Sequence, residues 1–384
     1  MDDPCLLIAT TPLTVLVGAA LARHDDGPWR LVLIEDFDGV ETWAGLLADW
    51  RDSPFAAVDC LPGRATEARL IRAADGPGGL AAPWRRQRIK HAQRHAAIAR
   101  LAEIDATWRP RRVAVGNDRR PETQYALALA AKRGGPRPGL YLDDGLFSYV
   151  GDVHARPLAR RLLDAPLKRL AWGGWWQTVE VAGSSPWIAR AHLALPAQAL
   201  DTDPARERRP LSRAAFTCRA MARLSLDAWR RFAGGRPPRL DAIVAVPHSD
   251  LLRRHPSSLA AIEAVFRCLA AGGQRVAVKH HPREREADPL GFGAGGARLL
   301  PSAIAFELLL PLLRRDGVVA GSASTALLAA RWLRPDLAVV DLGGGGDFAQ
   351  RASRFLAGQG VRPAADLAVV IDALTAGPGY SDNV

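Results

Sequence analysis

Three short polar groups in this 384-residue chain have residue types and an order suited to chemistry. Asp143-Asp144-Gly145 sets two carboxylates beside a glycine that permits a tight turn. A carboxylate facing a substrate can act as general base toward a hydroxyl. If a strand leads into the pair, its alternation sends the two side chains opposite ways, so one of Asp143 and Asp144 faces a ligand. A plain polar turn would use the same residues. Lys279-His280-His281-Pro282 gathers a cation and two imidazoles, and Pro282 disfavours helical geometry at His281 and holds it extended. A phosphate beside such a ring favours imidazolium, which can give a proton or hydrogen bond to a leaving oxygen. A turn after a buried strand fits this group equally well. Gly321-Ser322-Ala323-Ser324-Thr325 precedes an apolar stretch, 326–333, that reads as a helix. Free N–H groups and the helix dipole favour an anion there. An ordinary Ser/Thr cap, worth about 1 kcal/mol, would account for the same residues.

Other chemistries lack their residues. No GxxxxGK[ST] run is present, so a P-loop triphosphate site is not expected. The HHP group lacks helical i, i+4 spacing and has no evident partner cluster, so no metal is expected. Asp-Asp-Gly is not Asp-x-Asp and gives no support for a metal-bound diphosphate. The four cysteines, Cys5, Cys60, Cys218 and Cys268, lie far apart with no CxxC, which argues against zinc or a disulfide framework and fits a reducing cytoplasm.

The elements that must position these groups follow from hydrophobic period. Short apolar runs at 6–9, 29–34, 56–58, 112–115 and 139–142 read as strands, alternating with helical patterns such as 41–50 and 122–131. The pattern resumes with strands at 242–246, 275–278, 317–319 and 337–340 and helices at 257–271, 304–313 and 325–332. Such alternation implies βαβ units on parallel sheets. At roughly 150 residues per domain the length suggests two domains. We place them at 1–200 and 211–384, with the polar 201–210 stretch as a linker. The fold class is α/β, with two Rossmann-like domains facing a central cleft. Ligands in such sheets bind beyond the strands' carboxyl ends, and the polar residues gather there. Thr10-Thr11-Pro12 follows the first strand, Gly116-Asn117-Asp118-Arg119-Arg120 another, and Pro247-His248-Ser249-Asp250 a third.

Taken together, the D/E-D/E-G group at 143–145, His281-Pro282 and, about 40 residues later, Ser324-Thr325 resemble the motif set of the bacterial sialyltransferases. The nearest likeness is to the capsular polysialyltransferases and lipooligosaccharide sialyltransferases, which share a GT-B fold. The run Leu6-Leu7-Ile8-Ala9-Thr10-Thr11-Pro12-Leu13 and the segment 115–120 add to it, so the resemblance spans about residues 5 to 335. It implies inverting, metal-independent transfer from CMP-sialic acid or a related CMP-nonulosonic acid to a glycan hydroxyl, with no cofactor. Asp143 would be the base, with Asp144 as the alternative. His281 would meet the CMP phosphate as acid or stabiliser, and Ser324 and Thr325, with Ser322 and Lys279, would hold the phosphate. Glu307 would take the ribose hydroxyls, and Pro247 and His248 would line the nucleotide pocket. Thr11, Asn117, Asp118 and Arg119 would face the acceptor. The alternatives are a GT-B enzyme using a UDP-sugar, as a transferase or 2-epimerase, or a catalytically inactive polysaccharide-assembly partner.

The formal charge of +11 invites a nucleic-acid reading. Only four of the 51 cations are Lys, and with so much Ala, Gly and Pro the Arg excess is of the kind a GC-rich coding sequence would produce. No recognition motif accompanies it, so no nucleic-acid partner is expected. The charge gathers instead at 82–120, with 11 Arg/Lys against three acids, and at 153–176, beside Trp172, Trp175 and Trp176. Cations interleaved with tryptophans suit a lipid headgroup interface or an anionic glycan. The expected location is cytoplasmic, with peripheral contact at the inner membrane face. The uncharged run 5–22 approaches a membrane span in length, but its acidic lead and Thr10-Thr11-Pro12 break read as strand, loop and helix.

Overall fold

The computed structural model describes residues 3–74, 82–151, 158–201, 203–284 and 286–366. The chain divides into two units, Met1–Phe216 and Thr217–Val384. The first is built from β1 (Cys5–Ala9), α1 (Pro12–Ala22), β2 (Trp29–Ile34), α2 (Val40–Asp49), β3 (Phe55–Leu61), α3 (Arg64–Ala74), α4 (Ala82–Trp108), β4 (Arg112–Val115), α5 (Pro121–Gly134), β5 (Gly139–Leu142), α6 (Leu158–Trp172), β6 (Ile188–Leu193), β7 (Glu207–Pro210) and α7 (Arg213–Thr217), which runs into the boundary. The second holds α8 (Arg219–Phe232), β8 (Leu240–Ala245), α9 (Ser249–Arg254), α10 (Pro256–Ala271), β9 (Val276–Lys279), β10 (Arg298–Leu300), α11 (Phe306–Leu309), β11 (Leu313–Gly321), α12 (Thr325–Leu333), β12 (Ala338–Asp341), α13 (Asp347–Gly358) and β13 (Arg362–Pro363).

Each unit carries one parallel sheet. The first runs β3-β2-β1-β4-β5-β6-β7 and the second β10-β9-β8-β11-β12-β13. Both are Rossmann-like and restart from an inner strand: β4 pairs on the far side of β1, and β11 on the far side of β8. The central strands are apolar because helices cover both faces. Leu6, Ile8, Val32, Ile34, Val113 and Val115 share the first core with Leu101, Ile104 and Leu127 of α4 and α5. Val244, Val278, Val318 and Val340 join Ile262, Phe266 and Leu269 of α10 in the second. The uncharged 5–22 run is the buried β1 and the whole of α1, and no helix among the described residues is long and apolar enough to cross a membrane.

Three expectations need correction. The stretch 201–210 is not simply a linker: Glu207–Pro210 forms β7, which pairs in parallel with β6 at the sheet edge. Its residues are mostly exposed, so it carries no apolar signature, and an edge strand tolerates Pro210. The expected helix at 304–313 is α11, only four residues long, followed by a 3-10 turn at Leu310–Leu312. Pro311 supplies no N–H and would crowd the carbonyl of Glu307 in a continuing helix. β11 begins at Leu313, before the expected 317, and its register shifts between Leu313 and Val318, where Asp316 takes φ 59°.

Close strand approach fixes one glycine beside the candidate phosphate site. A Cβ on Gly321 would lie 2.6 Å from the carbonyl oxygen of Ala245 on β8. That oxygen belongs to the backbone of a paired strand, which leaves little room to yield. Gly321→Ala is therefore expected to cost about 1–3 kcal/mol in a denaturant titration, and an unchanged midpoint would contradict this close approach.

Candidate functional site

In the first unit the candidate residues sit on the loops after β1, β4 and β5, three neighbours in the sheet. Thr11 caps α1: its Oγ1 accepts from the Thr14 N–H at 3.1 Å and lies 2.9 Å from the Thr14 hydroxyl. Asn117 closes an Asx turn by accepting from the Arg119 N–H at 3.0 Å. Arg119 donates to the Glu180 carbonyl at 2.6 Å. Asp118 is fully buried and accepts from the N–H groups of Gly183 at 3.0 Å and Ser185 at 2.8 Å. Burial raises its pKa against the pull of those bonds. Asp118 is thus a strut rather than an acceptor-facing group, which corrects its expected place. Arg120, unassigned by sequence, bridges Asp36 after β2 and Glu122 at the start of α5, clasping the loops on either side of β1.

The two carboxylates of the 143–145 motif differ in environment. Asp143 is 4% exposed. Its Oδ1 accepts from the Gly145 N–H at 2.8 Å, and its Oδ2 from the Ala194 N–H at 2.7 Å and the Tyr149 hydroxyl. Burial raises its pKa. The Asp143 carboxylate ties the turn after β5 to the end of β6, and its lone pairs point at protein donors. Asp144 is half-buried, and its backbone N–H is held by Ser148 Oγ at 3.1 Å. Asp144 is therefore the more exposed carboxylate of the pair, whereas the expected base was the buried Asp143. Tyr149 and Ser148 were not legible as site residues, because their partners lie on a separate strand or close only through the turn.

In the second unit the candidates follow β9, β8 and β11, again neighbours. His281 Nδ1 accepts from the Arg283 N–H at 3.1 Å, which places the neutral ring's proton on Nε2 as a donor. Burial lowers its pKa to about 4, helped by Arg283, His248 and Lys279. His248 caps α9, accepting from the Asp250 N–H at 3.3 Å, and its ring lies 5.9 Å from that of His281. Pro247, half-buried, precedes it. Glu284, missed by sequence reading, is buried, accepts from the Ser249 N–H at 2.9 Å and stands 3.9 Å from His248 Nδ1. Its place three residues after His281 was its only signal. His280 is 3% exposed, and Asp288, at 3.6 Å, is too far for a hydrogen bond.

Lys279 is a further correction. Its buried Nζ donates to the carbonyls of His280 at 3.0 Å and Ser302 at 2.8 Å, and burial lowers its pKa to about 7. It braces the loop before α11 rather than presenting a cation to phosphate. Glu307 opens α11 half-buried, with its pKa raised by burial and opposed by Lys279. After β11, Ser322 is 8% exposed, and Ser324 and Thr325 are half-buried. Ser324 holds the cap position of α12, yet its hydroxyl makes no cap bond. Its buried Oγ has no hydrogen-bond partner among the described residues. An ordinary cap therefore does not explain this serine, and an oxygen-rich ligand at the helix N-terminus would satisfy it. Among the described residues no cluster of three or more His, Cys, Asp and Glu side chains could hold a metal ion.

Two measurements check these environments. Asp143→Ala, which strands the N–H groups of Gly145 and Ala194 and the Tyr149 hydroxyl, is expected to cost at least about 2 kcal/mol of stability. Asp144→Asn is expected to stay within about 1 kcal/mol; equal costs would contradict the assignment. His281 and His192 both have pKa values lowered to about 4 from 6.5, chiefly by burial. The unfolded chain binds those protons near pH 6.5 and the folded chain only near pH 4. Their stabilisation is therefore complete above pH 6.5 and is lost as pH falls toward 4. Denaturant titrations across that window should show a shallower loss in His281→Asn than in the parent.

No protein family matches the sequence, and no curated protein does. Solved structures do match the fold. An alpha/beta-galactoside alpha-2,3-sialyltransferase from the luminous marine bacterium Photobacterium phosphoreum is 12% identical, with 95% of this chain and 99% of that one covered and a TM-score of 0.51. UDP-GlcNAc 2-epimerase from Methanocaldococcus jannaschii is 10% identical, with 98% and 94% covered and a TM-score of 0.50. TcCGT1, crystallised with UDP, is 11% identical, with 98% and 91% covered and a TM-score of 0.51. At such identities the likeness establishes architecture, and the chain has the α/β, two-domain GT-B fold.

Proposed function

We propose that this chain is an inverting, metal-independent glycosyltransferase that moves a nonulosonic acid from a CMP-activated donor to a glycan hydroxyl. The observation that carries the reading is the buried Ser324 hydroxyl without a partner at the first turn of α12. The phosphate of a CMP donor, a diester that leaves as a monoester, would accept from that hydroxyl at the positive end of the α12 dipole. His281, with its proton on Nε2, is the companion donor. A phosphate next to it favours the imidazolium that neutralises charge as CMP leaves. Glu307 takes the ribose hydroxyls, and Thr325, Ser322, Pro247 and His248 complete the nucleotide site.

Asp144 is the base in this reading, and Asp143 is the strut that holds its turn. Asp144 takes the proton of the acceptor hydroxyl as that oxygen bonds the anomeric carbon. The bond from that carbon to the phosphate oxygen breaks, and CMP departs with the electron pair. Attack on the face opposite the leaving group inverts the centre, as in inverting glycosidases. Thr11, Asn117 and Arg119 lie on the acceptor side. The likeness to a 2-epimerase and to a UDP complex, at similar TM-scores, supports a second reading with a UDP-sugar.

Nucleotide binding separates the two. At about 100-fold excess over Kd, CMP should stabilise the chain by about 2.7 kcal/mol, while UDP at the same concentration does less. Stabilisation by UDP alone would move the assignment to the second reading. Asp144→Asn and His281→Ala should each lower transfer about 10²–10⁴-fold with CMP affinity within a few fold. Near-normal turnover in either variant would remove that residue from the mechanism.

A further inference from the structure

The first unit carries a surface that the glycosyl-transfer reading does not use. Each residue from Pro83 to Arg88, at the start of α4, is exposed. Contact with the core begins only at Ala97 and continues through Leu101 and Ile104. The first two turns therefore stand clear of the core, yet they carry Trp84 at 78% exposure. Trp84, Arg88, His91 and His95 recur at helical spacing on one stripe. Along that stripe the His91 ring stacks on Trp172 at the end of α6, 4.7 Å between centroids and 5° between planes, and His95 lies 5.1 Å from the same indole. The contact makes α4 and α6 one continuous surface. On α6, Leu167 and Leu170 are 62% and 86% exposed.

Charge on this surface has one dominant sign. From Ala82 to Ala102 the sequence holds six cations and no acid. Arg94 and Arg100 are paired with Glu67 and Glu103, but Arg88 and Lys90 make no ion pair among the described residues. Arg169 on α6 is exposed as well, and its Nε donates to the Trp176 carbonyl at 3.2 Å. Of the cations expected at 153–176, Arg156 lies outside the described residues. Large apolar side chains standing among unpaired cations are unusual on a soluble surface, which normally mixes signs and hides such groups.

We propose that the start of α4 and the exposed face of α6 form a docking surface for an anionic lipid bilayer. Arg88 and Lys90 meet the headgroups, and Trp84, Leu167 and Leu170 enter the interfacial layer, as amphipathic basic helices do. A soluble polyanion would engage the cations but give three exposed apolar side chains no place to go. Lipid is therefore the partner that uses both halves of the surface.

Flotation of the full chain with vesicles tests this. Vesicles of phosphatidylcholine with phosphatidylglycerol should carry the chain up, and vesicles of phosphatidylcholine alone should not. Raised salt should weaken binding. Joint substitution of Trp84, Leu167 and Leu170 by Ser should weaken it at least about tenfold, with an unchanged far-ultraviolet spectrum and thermal midpoint. Arg88→Glu with Lys90→Glu should abolish the preference for phosphatidylglycerol. Equal binding to both vesicle types, or none, overturns the proposal. So does full retention by the Ser variant together with tight binding to heparin, which would assign the surface to a soluble polyanion.

Discussion

Parallel strand pairing is the constraint on which the rest of this molecule depends. Strands that run the same way need a crossover to return the chain, so every strand ends at one edge of its sheet and every functional loop leaves from that edge. In each sheet the chain builds outward on one side, then restarts on the other, at β1 and β4 in the first unit and at β8 and β11 in the second. Loops diverge at those restarts. Thr11 and Asn117 flank the first, and His248 and Ser324 flank the second. Residues 84 positions apart in sequence thereby become neighbours by strand order, as Arg120 and Asp36 do on the two loops flanking β1.

Burial then separates groups of the same type. Asp143 and Asp144 are adjacent carboxylates, but one is locked by Gly145, Ala194 and Tyr149 while the other reaches solvent. Lys279, His280 and His281 are adjacent nitrogen bases, yet the first braces Ser302 and the second faces Asp288 from within the core. Of the three only His281 is half-buried rather than buried, with its Nε2 outside the loop bonding. Satisfied buried polar groups such as Asp143 and Lys279 fix a loop's shape, while a neighbouring side chain stays partly exposed. Ser324 completes the contrast, because its hydroxyl is buried without being satisfied.

The sheets were legible in the sequence because strands covered on both faces read as apolar runs. β2 and β4 appear at their observed bounds, Trp29–Ile34 and Arg112–Val115. β7 was hidden because an exposed edge strand, Glu-Arg-Arg-Pro, has no such run. α4 registered only as a band of charge, since its first turns touch no core and impose no period. The motifs were visible as residue types, but their division of labour was not. The partner that fixes Asp143 is the backbone of Ala194, 51 positions away, and no local pattern announces it. Likewise nothing in Ser-Ala-Ser-Thr distinguishes a capping hydroxyl from an unpartnered one.

The central claim is that the unpartnered hydroxyl at α12, with His281 beside the same edge, holds the phosphate of a CMP-activated sugar. Its most direct test is nucleotide release by the purified chain from CMP-activated nonulosonic acids, followed beside UDP-sugars without added acceptor. The account predicts CMP release from at least one CMP-donor, abolished by His281→Ala, and no release of UDP. UDP release without any release of CMP would contradict it.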